Sequence, residues 1–485
     1  MNKQGKVYLV GAGPGDLRLM TLKGKDCLQK ADVVLYDRLV NPLFLEWTKP
    51  EAELIYCGKL PDRHLLRQEA INELLIEKGR QGKVVVRLKG GDPSVFGRVG
   101  EEADVLKEAG LPYEIVPGIT AGIGASTYAG VPVTHRDYGA SFTVVTGHDK
   151  SPSGQPLIDW HALANGIDTI AFYMGVSNLP YITEQLIAHG RDPETCVLLI
   201  QWGTIGKQRV VEGRLNTIVS RVKEEGITNP AITLVGNIGK LRTEKSWFES
   251  QRLFGHQVLI GRTTAEEGGL AKTLMEAGAE VFEFPRWHVT SKPWGVTPNE
   301  VQEADHLVFT SPHSVHFFFE SLTEQSIDIR HIRGSFFAAS KKSLKIIRSF
   351  ACTAALLQEL PAGGKTIIFG DEENEMKRKY SLEGASYVST HQKALVPQSL
   401  RTCRRLLDEG RIETLVFPSA ASVNAVIDGL EQCGESVGTL SQAKTVITFG
   451  PESSKAAKEA GFQVDIQLEA PSAQLLIETL EAVRV

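Results

Sequence analysis

Residues Val84 to Arg98 read VVVRLKGGDPSVFGR, an apolar run that passes directly into two glycines, a carboxylate, a proline and a cation. Three successive β-branched residues, Val84, Val85 and Val86, predict a central strand. Gly90 and Gly91 follow and let the main chain approach a ligand with no side chain in between. Pro93 restricts Asp92 to extended backbone. That fixes the carboxylate near the strand's C-terminal end, the edge at which open α/β sheets hold ligands. Gly-Asp-Pro is also ordinary turn chemistry, so the neighbouring stretches decide the reading.

Working outward, Lys6 to Val10 predicts a short strand followed by GAGPGD, Gly11 to Asp16. This invites a dinucleotide fingerprint, but the third glycine position holds Asp16, and Pro14 stiffens the loop where the fingerprint needs an open turn. A helix over Thr21 to Lys30 and a strand over Val33 to Tyr36 lead to Asp37 and Arg38, again at a strand end. The next strand, Glu53 to Tyr56, delivers Gly58 and Lys59, then Arg63, His64 and Arg67. Such a basic run is commonly a solvated face, yet each preceding strand also ends in polar residues.

Beyond VVVRLKGGDPSVFGR, a helix opens at Arg98, Glu101 and Glu102. A strand at Tyr113 to Val116 then runs into PGITAGIGASTYAGVPVTHRDY. The small residues from Gly118 to Ala129 allow close helix packing, or a ligand lying against Thr120 and Ala121. Arg136 is a permanent cation that can fork onto a carboxylate. SPSGQP, Ser151 to Pro156, is expected to join two lobes. Strands are expected over Thr169 to Met174 and Cys196 to Gly203, a helix over Gly213 to Glu225, and a last strand over Ala231 to Val235.

The chain of 485 residues has 42% hydrophobic and 23% charged residues, ordinary for a soluble multidomain protein. The N-terminus enters a strand at once, and no apolar run reaches the roughly eighteen residues of a membrane span, so a cytoplasmic protein is expected. Cys27, Cys57, Cys196, Cys352, Cys403 and Cys433 include no Cys-x-x-Cys pair, which argues against a zinc site, an iron–sulfur cluster or a disulfide framework. A net charge of -5 gives no reason to expect nucleic acid. From Gln257 a second series of strand–helix units begins, after the irregular Thr243 to Gly255, and places the expected domain boundary at residues 1–250 and 251–485. Its strands end in small polar residues that open helices.

With these motifs in view, Lys6 to about Gly239 resembles the uroporphyrinogen-III C-methyltransferases of the tetrapyrrole methylase family. The resemblance rests on GAGPGD, YDRLV, Gly58–Lys59, RLKGGDPSVFGR, PGITAGIGASTYAGVPVTHRDY and YMG in order. It implies a two-lobed α/β fold that binds S-adenosylmethionine between its lobes. Carried over, cofactor contacts fall on Pro14, Gly90, Gly91, Asp92, Val95, Thr120, Ala121, Met174 and Gly203. The proton acceptor falls on Asp37 and the proton donor on Lys59, with substrate contacts on Arg98, Glu101 and Arg136. A homodimer is implied as well. The substrate is a polycarboxylate, for which Arg38, Arg63, Arg67, Arg98 and Arg136 are sensible counter-charges.

Residues 253 to 483 resemble uroporphyrinogen-III synthase, a two-lobed α/β protein that holds a linear tetrapyrrole. The matches are Arg262, FTSPHSV, FPSAASV and GPESS, which carry substrate contacts onto Arg262, Thr310, Ser311, Ser419 and Gly450. Where that family often has Gly-x-x-Thr this chain has Ser340-Lys341-Lys342-Ser343, and where a tyrosine is common it has His391-Gln392-Lys393. Together the halves imply closure of hydroxymethylbilane to uroporphyrinogen III, then its methylation at C-2 and C-7 to precorrin-2, towards siroheme or cobalamin. Three other readings stay open: a methylase of a later corrin precursor, a methylase with a degenerate tetrapyrrole-binding second half, and a tetrapyrrole-binding protein without catalysis.

Overall fold

The β-branched runs become the centres of parallel sheets. A computed structural model of the chain describes residues 5–58, 67–149, 154–265, 268–293, 295–440 and 443–483, the side chain of Glu375 excepted. It separates into two compact units, Met1–Pro285 with Pro397–Val485, and Arg286–Val396.

The first unit begins with strands β1 (Lys6–Gly11), β2 (Val33–Tyr36), β3 (Glu53–Tyr56), β4 (Val84–Lys89) and β5 (Tyr113–Val116), in the spatial order β3-β2-β4-β1-β5. All pairings are parallel, with Lys6 opposite Val84 and Gly11 opposite Lys89, so every strand's C-terminal end lies on one edge. The sheet is covered on both faces. Val10, Val34, Val86 and Leu88 pack with Leu28 and Phe44, while Val7, Leu9, Leu35 and Val85 pack with Leu75 and Leu106. This two-sided burial is why the strands read as continuous apolar runs.

The second sheet contains β6 (Phe142–Thr146), β7 (Thr169–Tyr173), β8 (Cys196–Gln201), β9 (Arg209–Arg214) and β10 (Ala231–Val235), in the order β6-β7-β10-β8-β9. Only β6 and β7 are parallel. Two sequence expectations change here. SPSGQP follows the first strand of this sheet, so the passage between lobes lies upstream of Phe142; its residues 151–153 are outside the described ones. The expected helix from Gly213 is instead strand Arg209–Arg214 followed by helix Ile218–Glu224, because RVVEGR pairs with β8.

A third sheet in the same unit is parallel and orders its strands Glu280–Phe284, Gln257–Gly261, Thr414–Phe417, Thr445–Phe449 and Ile466–Leu468. Leu43, from the stretch after β2, joins one of this sheet's cores with Leu259, Phe282 and Phe417.

The unit Arg286–Val396 carries a parallel sheet built on His306–Phe309, Ser335–Ala338, Ala354–Leu356, Thr366–Gly370 and Ser386–Ser389, with an antiparallel pair Trp287–Ser291 and His391–Leu395. No helix among the described residues is long and apolar enough to cross a membrane.

Candidate active site

The C-terminal edge of the first sheet gathers the glycine-rich loops. Gly13 and Gly91 exchange main-chain hydrogen bonds, 3.1 Å and 2.8 Å long, which tie the loop after β1 to the loop after β4. Asp92 completes this cradle: its Oδ1 accepts from the Ser94 amide at 2.7 Å and its Oδ2 from the Gly118 amide at 3.0 Å. Asp92 therefore joins the loops after β4 and β5. Gly91 has φ +72°, and a Cβ there would meet nothing nearer than the Ala121 amide at 3.9 Å. Glycine is required at that position for its conformation, and the space beside it is open.

Asp16 explains why the dinucleotide fingerprint fails. Its Oδ1 accepts from the Arg18 amide at 2.8 Å, its Oδ2 from the Tyr128 hydroxyl at 2.7 Å, and its own amide donates to Thr204 Oγ1 at 3.1 Å. The position that would be a third glycine is a three-way clasp between the loop, the helix Ala121–Tyr128 and the second lobe.

That helix reaches the second sheet through its small residues. The Tyr173 hydroxyl accepts from the Gly122 amide at 2.5 Å and lies 2.6 Å from Thr120 Oγ1. Gly124 lies against Pro14, and Gly203 lies against Ala125 with no room for a side chain. Burial raises the Tyr173 phenol above its ordinary pKa, so it stays protonated at neutral pH.

Around the mouth the backbone is strained. Phe96, Arg98, Met174, Trp202 and Thr204 all have positive φ, between 50° and 73°. Among the described residues only Ser326 and Ala351 share that feature elsewhere. Non-glycine residues held this way cost energy and concentrate at binding and catalytic sites. Leu39, Phe96 and Met174 are exposed apolar side chains there, and Phe96 leans on Tyr173 with ring centroids 5.2 Å apart.

Asp37 lies at the end of β2 and is held from inside the sheet. Arg87 Nη2 donates to Asp37 Oδ1 at 2.6 Å and Arg87 Nε to Glu102 Oε1 at 3.2 Å. Lys89 Nζ also donates to Glu102 Oε1, at 2.7 Å. Arg87, Lys89 and Glu102 are buried, so two cations and two carboxylates form a balanced network beneath the rim. Burial lowers the Lys89 pKa, and the neighbouring Arg87 charge adds to that effect while Glu102 opposes it. Sequence reading missed this network. Its signal was present: Val85, Arg87 and Lys89 alternate onto one face of a two-sided buried strand, and buried cations need carboxylate partners.

Pro14, Gly90, Gly91, Asp92 and Val95 lie on the loops after β1 and β4, Thr120 and Ala121 at the start of the helix Ala121–Tyr128, and Met174 and Gly203 just after β7 and β8 in the second lobe. Arg98 and Glu101 pair with each other, Arg98 Nε to Glu101 Oε1 at 2.8 Å, and both are exposed. Arg136 is exposed in the turn before β6. Lys59, Arg63 and His64 lie outside the described residues.

In the third sheet, Arg262, Ser419 and Gly450 follow three adjacent strands at one edge. Arg262 Nε pairs with Glu283 at 3.1 Å, and Gly450 precedes the helix Pro451–Glu459 with φ +86°. The Ser419 hydroxyl accepts from the Ser422 amide at 3.2 Å, capping its own helix. In the other unit Ser311 does the same with Ser314, and Thr310 Oγ1 donates to the Phe369 carbonyl at 3.1 Å.

Two α/β lobes thus bring glycine-rich loops together at one sheet edge, with a carboxylate anchored at its rim, the layout of an α/β protein with its site at the strands' C-terminal ends. Residues 6–219 match the family described as Tetrapyrrole (Corrin/Porphyrin) Methylases. A uroporphyrinogen-III C-methyltransferase of Bacillus subtilis is 44% identical over 436 residues, 89% of each chain. One of Priestia megaterium is 58% identical over 234 residues, 48% of this chain and 98% of its own. The crystal structure of uroporphyrin-III C-methyl transferase from Thermus thermophilus complexed with S-adenyl homocysteine is 37% identical; it covers 50% of this chain and 96% of its own, with a TM-score of 0.42. The chain belongs to the tetrapyrrole methylase family.

Proposed function

We propose that this chain transfers methyl groups from S-adenosylmethionine to C-2 and C-7 of uroporphyrinogen III, giving precorrin-2, in the cleft between its first two sheets. The observation that carries the reading is the join of Gly13, Gly91 and Asp92 beside a carboxylate, Asp37, fixed by a buried arginine. The cofactor fits the residues present, because Gly91 leaves open space where any side chain would project and the surrounding loops offer main-chain groups. S-adenosylmethionine supplies a methyl group already activated on a sulfonium. The chain's work is alignment in a water-poor cleft and removal of the ring proton that methylation makes acidic. Asp37 accepts that proton, and Arg87 keeps the carboxylate in place. Lys59 serves as the proton donor, Arg98 and Arg136 meet substrate carboxylates, and the protein works as a homodimer.

The proposed division is residues 1–250 for methylation and 251–485 for a uroporphyrinogen-III synthase-like domain that closes hydroxymethylbilane. Parallel sheets with polar strand ends support this second activity. A binding role without closure is the second reading: the Ser311 and Ser419 hydroxyls accept from amides of their own helices and keep an O–H to donate to a substrate carboxylate, which serves binding and closure alike. Incubating the protein with hydroxymethylbilane, with and without the methyl donor, separates the cases by product mass. Uroporphyrinogen III alone, and precorrin-2 once the donor is added, supports both activities. Type-I ring only, with supplied uroporphyrinogen III still methylated, leaves the second half as a binder.

A further inference from the structure

The loop that carries Asp37 is held from a second direction by a segment far away in sequence. Helix Pro397–Asp408 packs against residues 38–54 within the same compact unit. Four of its side chains donate to six main-chain carbonyls there. Arg405 Nη2 reaches the carbonyls of Arg38 at 2.6 Å and Val40 at 3.0 Å. Thr402 Oγ1 reaches that of Pro42 at 3.3 Å, Gln398 Nε2 those of Lys49 at 2.6 Å and Pro50 at 3.0 Å, and Arg401 Nη1 that of Leu54 at 3.3 Å.

Arg405 is the member closest to the chemistry. Asp37 to Val40 is a tight turn, closed by the Val40 amide on the Asp37 carbonyl at 3.2 Å. Arg405 takes the two carbonyls of that turn with one nitrogen, while its guanidinium lies over the Tyr36 and Tyr56 rings, 5.9 Å and 5.7 Å from their centroids. Glu409 Oε1 fixes Arg405 Nε at 2.8 Å. A planar cation held on both sides, with a forked set of donors, specifies direction in a way a lysine cannot. Arg87 therefore fixes the Asp37 side chain, and Arg405 fixes the backbone that presents it.

We propose that Arg405 is a positioning residue for methyl transfer, so that the C-terminal part of the chain completes the methylase cleft. The proposal rests on the reading of Asp37 as proton acceptor. Displacing a catalytic group by about 1 Å can cost a hundredfold in rate without loss of ligand binding.

The test compares full-length wild type, Arg405→Ala, Arg405→Lys and Asp37→Asn. The readouts are kcat and KM for uroporphyrinogen III, calorimetric affinity for S-adenosylhomocysteine, and hydrogen–deuterium exchange. For Arg405→Ala we expect kcat to fall roughly ten- to a hundredfold, with S-adenosylhomocysteine affinity within about threefold and faster exchange confined to residues 36–45. Arg405→Lys keeps a cation over the rings but loses the fork; it should fold as wild type and fall between the two in kcat. Wild-type kcat in both Arg405 variants, with Asp37→Asn inactive, overturns the proposal. So does an Arg405→Ala defect in which exchange rises across the whole unit, since that marks a general loss of stability. Full activity in Asp37→Asn overturns the underlying reading of Asp37, whatever Arg405 does.

Discussion

Arg87 lies almost entirely inside the first sheet, and its Nη2 donates to the partly exposed Asp37 Oδ1 across 2.6 Å. One end of a buried network thus surfaces at the cleft. Glu102, at the other end, is fully buried and receives both Arg87 and Lys89.

This asymmetry predicts a crossover between two conservative variants. Glu102→Gln leaves two buried cations short of a carboxylate and should destabilise the fold by about 3–5 kcal/mol. Asp37→Asn, at a group about one-third exposed, should cost at most about 1 kcal/mol because solvent screens it. Turnover should rank the other way, with Asp37→Asn slower by a hundredfold or more. Urea unfolding and kcat on the same preparations check both orders.

Gly118 and Gly91 should fail for different reasons. A Cβ on Gly118 would fall against the Gly91 carbonyl and the Gly11 backbone. Gly118→Ala should push the loops after β1, β4 and β5 apart and abolish S-adenosylhomocysteine binding. At Gly91 there is room, so Gly91→Ala bears mainly the positive-φ strain of about 1–2 kcal/mol and should weaken binding roughly tenfold. Calorimetric titration separates the two.

Tyr173→Phe removes one hydroxyl that serves both the Gly122 amide and Thr120. The start of the helix that carries Ala121 then loses its tie to the second sheet. We expect a stability loss of about 1–2 kcal/mol and weaker S-adenosylhomocysteine binding, read by thermal unfolding with and without the ligand.

How much of this was legible beforehand follows the physics of each element. Val84–Val86 and Val33–Tyr36 announced themselves because strands buried on both faces need unbroken apolar runs. Gly90, Gly91 and Asp92 could be placed from the strand that precedes them. Arg87 and Lys89 were passed over as charges in a strand, since a partner such as Glu102 comes from a separate helix and only tertiary packing supplies it. Asp16 and Tyr128, 112 positions apart, are another pair that no local pattern encodes. RVVEGR, at Arg209–Arg214, was not read as a strand, and its last two residues fell in the helix expected from Gly213, because its strand character depends on pairing with β8.

His391 gives the unit Arg286–Val396 a pH dependence. It is fully buried, its Nδ1 lies 2.9 Å from Thr390 Oγ1, and burial pushes its pKa down from 6.5 to about 4. The unfolded chain therefore takes up a proton below pH 6.5 that the folded chain refuses. Stability is complete above that pH and is lost as pH falls towards about 4, by up to about 3 kcal/mol. His391→Gln should remove this acid-induced loss, so in urea unfolding the stability of the variant relative to wild type should rise by about 2–3 kcal/mol between about pH 7.5 and about pH 4.5.

Methyl transfer is assigned to the site at Asp37. Its most direct test is a single-turnover experiment with S-adenosylmethionine labelled in the methyl group, uroporphyrinogen III, and either wild-type protein or Asp37→Asn. Label in the ring with wild type, and a hundredfold or greater loss of rate in a variant that still binds S-adenosylhomocysteine normally, is the predicted result. No label in the ring with wild type, or equal rates in the two proteins, would contradict it.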